Sequence, residues 1–366
     1  GFATNAFATN GGADGVGSIV KSIQVSSAGV SSGLIDTATG QLVYLYKDVA
    51  TGDVIGRVGA GGNPDATGAE AFRISLSLSG NDVTLTQARA LSHPDATNPD
   101  EFATPLSIAN GALILRGVIT DGDGDTATHN IAMGDKFKFL DDGPTITSKS
   151  PTATLQVSDA DFSVNDSKNF ADAFNTPNYG ADGAAASNAL VYGLSLSTQG
   201  VSSGLVDVLT GQTIYLYRVG DVVYGQVGNN TGTYNPAGTN AFTISIDSTD
   251  ADITLDQSLA IRHEQPTNNT TVSLPPTVLA ITATVTDKDG DTATASRNIG
   301  DRFTFLDDVP EITAGTMPVN LIVDESALVG GAQTPTSPYG TSATVSFAGA
   351  FNVDYGNDTA AATNPL

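Results

Sequence analysis

The sequence predicts an all-β protein of tandem antiparallel β-sandwich domains, immunoglobulin-like or related, with little helix. Three observations carry that expectation. Apolar residues come in short alternating runs, the period of a strand with one buried face. Gly, Ser, Thr, Asn and Asp crowd the gaps between those runs, while Lys, Glu and Leu, which favour helices, are scarce. The third observation is a long internal repeat.

"GVSSGLIDTATGQLVYLYK" at 29–47 returns as "GVSSGLVDVLTGQTIYLYR" at 200–218. "TDGDGDTATHNIAMGDKFKFLDDGPTIT" from Thr120 returns as "TDKDGDTATASRNIGDRFTFLDDVPEIT" from Thr286. The weaker block 71–93 pairs with 241–263, and "NLIVDESALV" (320–329) echoes "TLQVSDADFS" (154–163), so a third copy begins. A period this long suits whole domains in tandem rather than coils of a solenoid. Each full copy closes on "FLDD-x-P", where Pro144 and Pro310 end an extended run. The expected domains are therefore 1–144, 145–310 and a partial third over 311–366. Phe2 and Phe7 match Phe170 and Phe174, and the sequence stops shortly after Phe347 and Phe351. It reads as starting and ending in mid-repeat.

Within a copy the elements follow in order. "QLVYLYK" and "QTIYLYR" are strands entered through the turns "DTATG" and "DVLTG". In "LAITATVT" (279–286), Leu279, Ile281, Ala283 and Val285 alternate with polar or small residues, giving one buried face. Leu113, Leu115, Gly117 and Ile119 take the same places in the first copy. Between this strand and the next sits a tip of three alternate aspartates: Asp121, Asp123 and Asp125, then Asp287, Asp289 and Asp291.

Clustered carboxylates repel, by ~4 kcal/mol per pair at close range near a protein surface. A hard cation resolves the conflict, since Ca2+ takes six to eight oxygens in flexible geometry. Gly124 and Gly290 let the backbone fold round an ion. An EF-hand is excluded: the twelfth positions are Ala132 and Asn298, not glutamate. Further carboxylates recur at fixed distance, Asp135, Asp141 and Asp142 beside Asp301, Asp307 and Asp308. Calcium is the expected ligand of these residues. The competing reading is a plain Asp-Gly hairpin turn. The "FLDD" pairs are expected to bind at the domain junction or to cap it, and Lys288 to weaken the second turn.

The "TDxDGDTAT…GDxFxFLDDxPxI" block, with "VDES" opening the next copy, resembles the tandem extender domains of giant repeats-in-toxin proteins. These are type I-secreted proteins of Gram-negative bacteria and include large surface adhesins. The resemblance covers both full copies and implies a calcium-associated, extracellular, β-rich region of the bacterial cell surface. The glycine-rich nonapeptide of that family is absent, "GGADGVGS" (11–18) being only a fragment of it, so no β-roll is expected.

Charge and composition narrow the partners. With 39 acidic against 15 basic residues the net charge is −24, which disfavours nucleic acid and anionic lipid. No apolar run suits membrane insertion, and with no cysteine the fold has no disulfide to brace it. "GVSSG" centres on Ser31 and Ser202 and matches G-x-S-x-G, but a turn and a strand follow rather than a helix. His93 and His263 are equivalent between copies while His129 stands alone. They read as structural polar residues, so no enzyme and no zinc or iron centre is expected. Tyr44, Tyr46, Tyr215 and Tyr217 place aromatics on one strand face, suiting packing under a loop better than a sugar platform. The expected function is a calcium-stiffened, non-catalytic extracellular rod or fibre. Its partners are neighbouring repeats, including a head-to-tail homopolymer by strand complementation; the alternative is a module binding glycans or a host surface.

Overall fold

The structure, a computed structural model, describes residues 6–96, 98, 102–229, 231–263, 270–316, 320–323 and 343–358. Phe2 and the 324–329 part of the third opening segment lie outside them. The fold is the expected one, nearly all β, with 47% strand and, among the described residues, no α-helix. Among the described residues no helix is long and apolar enough to cross a membrane. The chain divides into two compact units, Gly1–Ser150 with Asp172–Tyr192 and Thr282–Ser296, and Pro151–Ala171 with Gly193–Ile281 and Arg297–Leu366. The first unit thus takes in two stretches of the second sequence repeat, the tip with Asp287, Asp289 and Asp291 among them.

In the first unit, Val30–Asp36, Gln41–Lys47, Val54–Val58, Glu70–Leu76 and Val83–Gln87 form an antiparallel meander. It packs against a sheet ordered Val16–Val25, Leu113–Asp121, Thr126–Ala132. Alternation decides which side chains meet between them: Ile23, Val43, Leu45, Ile74 and Leu113 are fully buried. The buried face of Leu113–Asp121 fades towards its tip, where Ile119 is half-buried.

The second unit repeats the plan. Val201–Val206, Thr213–Val219, Val222–Val227, Asn240–Ile246 and Asp252–Gln257 form the meander, and Asp166–Asn169 adds a sixth strand at its edge. Phe303–Leu306 pairs in parallel with Leu155–Ser158 on one side and antiparallel with Thr271–Ser273 on the other.

One packing motif recurs in both units and sets the position of the acidic closing segments. Gly56 lies opposite Phe72 across a strand pair, and a Cβ on Gly56 would meet the Phe72 ring at 2.5 Å. Phe72 in turn packs against Phe139 with ring centroids 5.1 Å apart, tilted by 51°. Gly225, Phe242 and Phe305 repeat this, with centroids 4.9 Å apart and the same tilt. Phe139 and Phe305 are the aromatic residues of "FLDD", so core packing anchors the strand that presents Asp141–Asp142 and Asp307–Asp308. Gly56→Ala is expected to cost about 1–3 kcal/mol through overpacking, measured by denaturant unfolding, with Gly225→Ala giving a matching loss.

"GVSSG" folds as a bulge, not a nucleophile elbow. The register of Val30–Asp36 on Gln41–Lys47 shifts between Ser31 and Ile35. Gly33 has φ of 81°, the left-handed region that a glycine enters freely. Ser32 Oγ donates to the Val43 carbonyl at 2.7 Å, and Ser31 Oγ accepts the Gly33 N–H. Ser203 and Ser202 do the same in the second copy. These hydroxyls satisfy backbone groups that the bulge would otherwise strand.

Asp36, fully buried, accepts from Arg89 Nε at 2.7 Å and Nη2 at 3.1 Å and holds the Thr39 turn. Burial pushes its carboxyl up, but the bonds from Arg89 and Thr39 outweigh burial and hold it below the usual range. Asp36→Ala is expected to destabilise by about 2–3 kcal/mol, the lower side for a buried pair because Arg89 keeps some solvent. A chemical denaturation series of the two proteins measures it.

Candidate metal centre

The two aspartate tips have the same internal chemistry. Asp121 Oδ1 accepts the N–H groups of Gly124 and Asp125 at 3.0 and 2.8 Å. Asp287 Oδ1 accepts those of Gly290 and Asp291 at 3.1 and 2.8 Å. Gly124 and Gly290 have φ of 102° and 112°, which closes both tips. Each is therefore an Asp-capped turn whose tip N–H groups are satisfied by its own first aspartate.

Their surroundings differ. Asp123 and Asp125 are exposed, and Asp121 is half-exposed beside Asp14, with which Asp121 and Asp123 can converge. The Asp121 carboxyl is held below its usual range by contact with Asp123 and by the tip N–H groups. In the second tip, Asp287 is 1% exposed and Asp291 2%. Asp287 is pushed up to about 7, by burial first and by Asp289 next. Burial removes the water that screens like charges, so one motif is relaxed in one place and frustrated in the other.

The residues that bury it come from both repeats but lie in the first compact unit. His93 donates its backbone N–H to Asp289 Oδ2 at 3.0 Å, and its Nδ1 faces Asp141 Oδ1 at 3.3 Å. Asp141 is pushed up to about 8, by burial and then by the Asp291 and Asp289 carboxylates. Asp142 Oδ2 accepts the N–H of Ala181 at 2.9 Å, made possible by Gly180 at φ 68°. That turn also delivers Asp182, 8% exposed, whose carboxyl burial raises. Six carboxylates thus converge near His93. Buried oxygens of Asp141, Asp182, Asp287, Asp289 and Asp291 accept no hydrogen bond. A cavity of about 620 Å³ opens beside Asp141, Asp142 and Asp182. The nearby cations are committed elsewhere, Arg89 to Asp36 and Lys288 Nζ to the Ala38 carbonyl.

The second unit holds a related cluster. Asp308 Oδ2 accepts the Asn357 N–H at 2.7 Å, as Asp142 does from Ala181, and Gly356 has φ of 67°. His263 Nδ1 faces Asp307 Oδ1 at 3.3 Å and Asp159 Oδ2 at 3.7 Å. Burial, then Asp308 and Asp307, pushes Asp358 up to about 6; burial pushes Asp159 up to about 7. Buried oxygens of Asp308 and Asp358 accept no hydrogen bond.

Of the sequence-derived candidates, the structure brings together Asp141, Asp142, Asp287, Asp289 and Asp291. Asp307 and Asp308 meet in their own cluster, while Asp121, Asp123 and Asp125 remain at an exposed tip. Asp135 and Asp301 stay at the surface beside Lys136 and Arg302 in short 3-10 turns. Sequence reasoning missed His93, His263, Asp159 and the aspartates Asp14, Asp182 and Asp358. The signal was present: "NGGAD", "NYGAD" and "DYGND" repeat one turn, and the two histidines recur. Tyr44 is buried with its hydroxyl on the Gly62 carbonyl at 2.9 Å, and Tyr215 reaches Gly232 likewise. These tyrosines pack under loops.

No curated protein matches this chain. Among solved structures it is similar to protocadherin gamma B2 extracellular cadherin domains 3-6, at 12% identity and a TM-score of 0.20, over 82% of this chain and 55% of that one. It is also similar to protocadherin gamma B7 extracellular cadherin domains 1-4 in a P21 crystal form, at 13% identity and a TM-score of 0.12, over 70% of each chain. The chain spans about half the length of the first of these. A family profile matches residues 2–134 and again 154–300, most of the chain and one match for each repeat, so the protein belongs to the family described as Domain of unknown function (DUF5801).

Proposed function

We propose that this protein is a non-catalytic, extracellular structural or adhesive component in which calcium stiffens tandem β domains. The observation that carries the reading is the set of buried carboxylate oxygens around Asp287, Asp289 and Asp291 that have no donor. Buried unpaired charge is costly, by several kcal/mol per ion, and oxygen-only donors with uncommitted lone pairs suit a hard dication. Bound there, calcium would tie the closing "LDD" segment of one repeat to two turns of the next. Fixing successive repeats to each other turns a string of domains into a rod. The resemblance of the "TDxDGD…FLDD" block to extender domains of repeats-in-toxin proteins supports placing the rod outside a bacterial cell. A chain held unfolded where calcium is scarce gains binding free energy as folding free energy after export.

The parallel pairing of Leu155–Ser158 with Phe303–Leu306 supports a further element, assembly by strand addition. Residues 321–323 repeat the same apolar pattern, and Leu321, Ile322 and Val323 are exposed there at 51%, 42% and 59%.

Calorimetric titration of the chelator-stripped full chain with calcium chloride tests the reading. Saturable binding is expected, weakened about tenfold or more by Asp287→Asn or Asp291→Asn, as for loss of any group that supports a metal. Calcium-dependent lengthening in small-angle scattering is the mechanical counterpart. Absence of heat together with unchanged scattering would overturn the proposal.

A further inference from the structure

The histidine of the second unit has an arrangement that calcium does not explain. Calcium ligands are oxygens, whereas His263 directs a ring nitrogen into its cluster. Its side chain is 2% exposed, and Nδ1 makes no hydrogen bond. Nε2 lies 3.1 Å from the Phe305 carbonyl, an acceptor only, so Nε2 carries the proton and donates it. In the neutral ring Nδ1 then presents a lone pair to Asp307 Oδ1 at 3.3 Å and Asp159 Oδ2 at 3.7 Å. A lone pair aimed at two carboxylates is repulsive unless a positive centre lies among them. A protonated ring would close those gaps to the ~2.7–2.9 Å of charge-assisted hydrogen bonds. Separations of 3.3 and 3.7 Å instead suit ligands that share one ion. Bonds of ~2.0–2.2 Å in tetrahedral array put neighbouring donors ~3.3–3.6 Å apart.

The second shell is also in place. Metal-bound imidazoles commonly donate the other N–H to a carbonyl or carboxylate, as His263 does to Phe305. Asp159 is fully buried; its Oδ1 accepts from Gln257 Nε2, and the Ile261 N–H is shared between Oδ1 at 3.4 Å and Oδ2 at 3.3 Å, which fixes the carboxylate plane. The Thr270 hydroxyl lies 3.4 Å from Asp307 Oδ2. The first unit carries the same core of the arrangement, with His93 Nδ1 3.3 Å from Asp141 Oδ1 and its Nε2 3.4 Å from the Phe139 carbonyl.

We infer that His263 Nδ1, Asp159 Oδ2 and Asp307 Oδ1 form a site for a first-row transition dication of the zinc class, a nitrogen–oxygen donor set unlike the carboxylates of Asp287, Asp289 and Asp291. Imidazole nitrogen selects such ions over calcium. The inference does not rest on the calcium reading, because its donors lie in the other compact unit.

The test uses the intact chain, stripped of metal and returned to excess calcium, with Co2+ and Zn2+ as probes. Nitrogen-15 labelling of histidine is readable because the chain has three, at 93, 129 and 263. Zn2+ is expected to move the His263 Nδ1 resonance, leave its Nε2–H in place and leave His129 unchanged. Co2+ is expected to develop visible d–d absorption that Zn2+ abolishes. His263→Gln and Asp159→Asn should each weaken Co2+ binding at least about tenfold, with circular dichroism reporting whether each variant folds. A wild-type His263 that is protonated on both nitrogens and indifferent to saturating Zn2+ overturns the inference, whatever the variants do. So does Co2+ binding of wild-type strength in a folded His263→Gln.

Discussion

Stripping calcium from the full chain is expected to lower its thermal midpoint by roughly 5–10 °C for each ion lost. A ligand at a hundred times its dissociation constant adds about 2.7 kcal/mol to the folded state. For a unit of 150–250 residues, 1 kcal/mol moves the midpoint about 2–4 °C. The effect should be large because the carboxylates that would be neutralised are buried. Asp287 and Asp291 are 1% and 2% exposed, so their repulsion acts at low effective dielectric. The two aspartate tips give an internal control. Asp291→Asn should remove much of the calcium-dependent shift, whereas Asp123→Asn, at the exposed tip, should leave most of it. Melts followed by circular dichroism in calcium and in chelator measure both. Superimposable curves in the two buffers would sink the calcium reading.

With calcium removed, the protein is expected to become more stable as the pH falls from about 8 to about 5, the reverse of ordinary acid denaturation. A carboxyl whose folded pKa lies above its unfolded value holds its proton more tightly when folded. Its stabilising contribution is complete below the unfolded pKa of about 4 and is lost as pH rises through the folded value. Asp141 stands at about 8, Asp287 and Asp159 at about 7 and Asp358 at about 6, so the loss begins near pH 4 and is complete by about pH 6 for Asp358 and about pH 8 for Asp141. Burial is the leading cause in all four. A displacement of three pH units corresponds to ~4 kcal/mol for one isolated group. Sharing of protons between neighbours and residual solvent bring the expected change to about 1–2 kcal/mol per cluster. Calcium bound at the first-unit cluster would hold Asp141 and Asp287 ionised, so in excess calcium their part of the slope is expected to flatten or reverse. Denaturation midpoints across this range, in calcium-free and calcium-containing buffer, give the two slopes. Stability that rises with pH in both would overturn the expectation.

The hairpins and alternating strands were legible because each depends on neighbours within a few residues. Leu279, Ile281, Ala283 and Val285 declare a buried face by period alone, and all four are fully buried. The Ser-Ser-Gly bulge resembled a catalytic elbow only as a string of letters. Its true partners, the Val43 and Ile214 carbonyls, sit across the next strand. Asp135 and Asp301 were drawn into the candidate set by recurrence, yet a residue can recur because every copy needs the same surface turn.

The β class, the tandem repeat and the positions of the acidic tips follow from periodicity, composition and recurrence, which can be read along the chain. Which tip is buried depends on long-range packing. Asp121–Asp125 and Asp287–Asp291 share one pattern and one set of turn hydrogen bonds, but the second alone receives His93, Asp141 and Asp182 from distant stretches. A carboxylate's cost is set by the water it loses and the charges it meets, and neither is written in its own neighbourhood of the sequence.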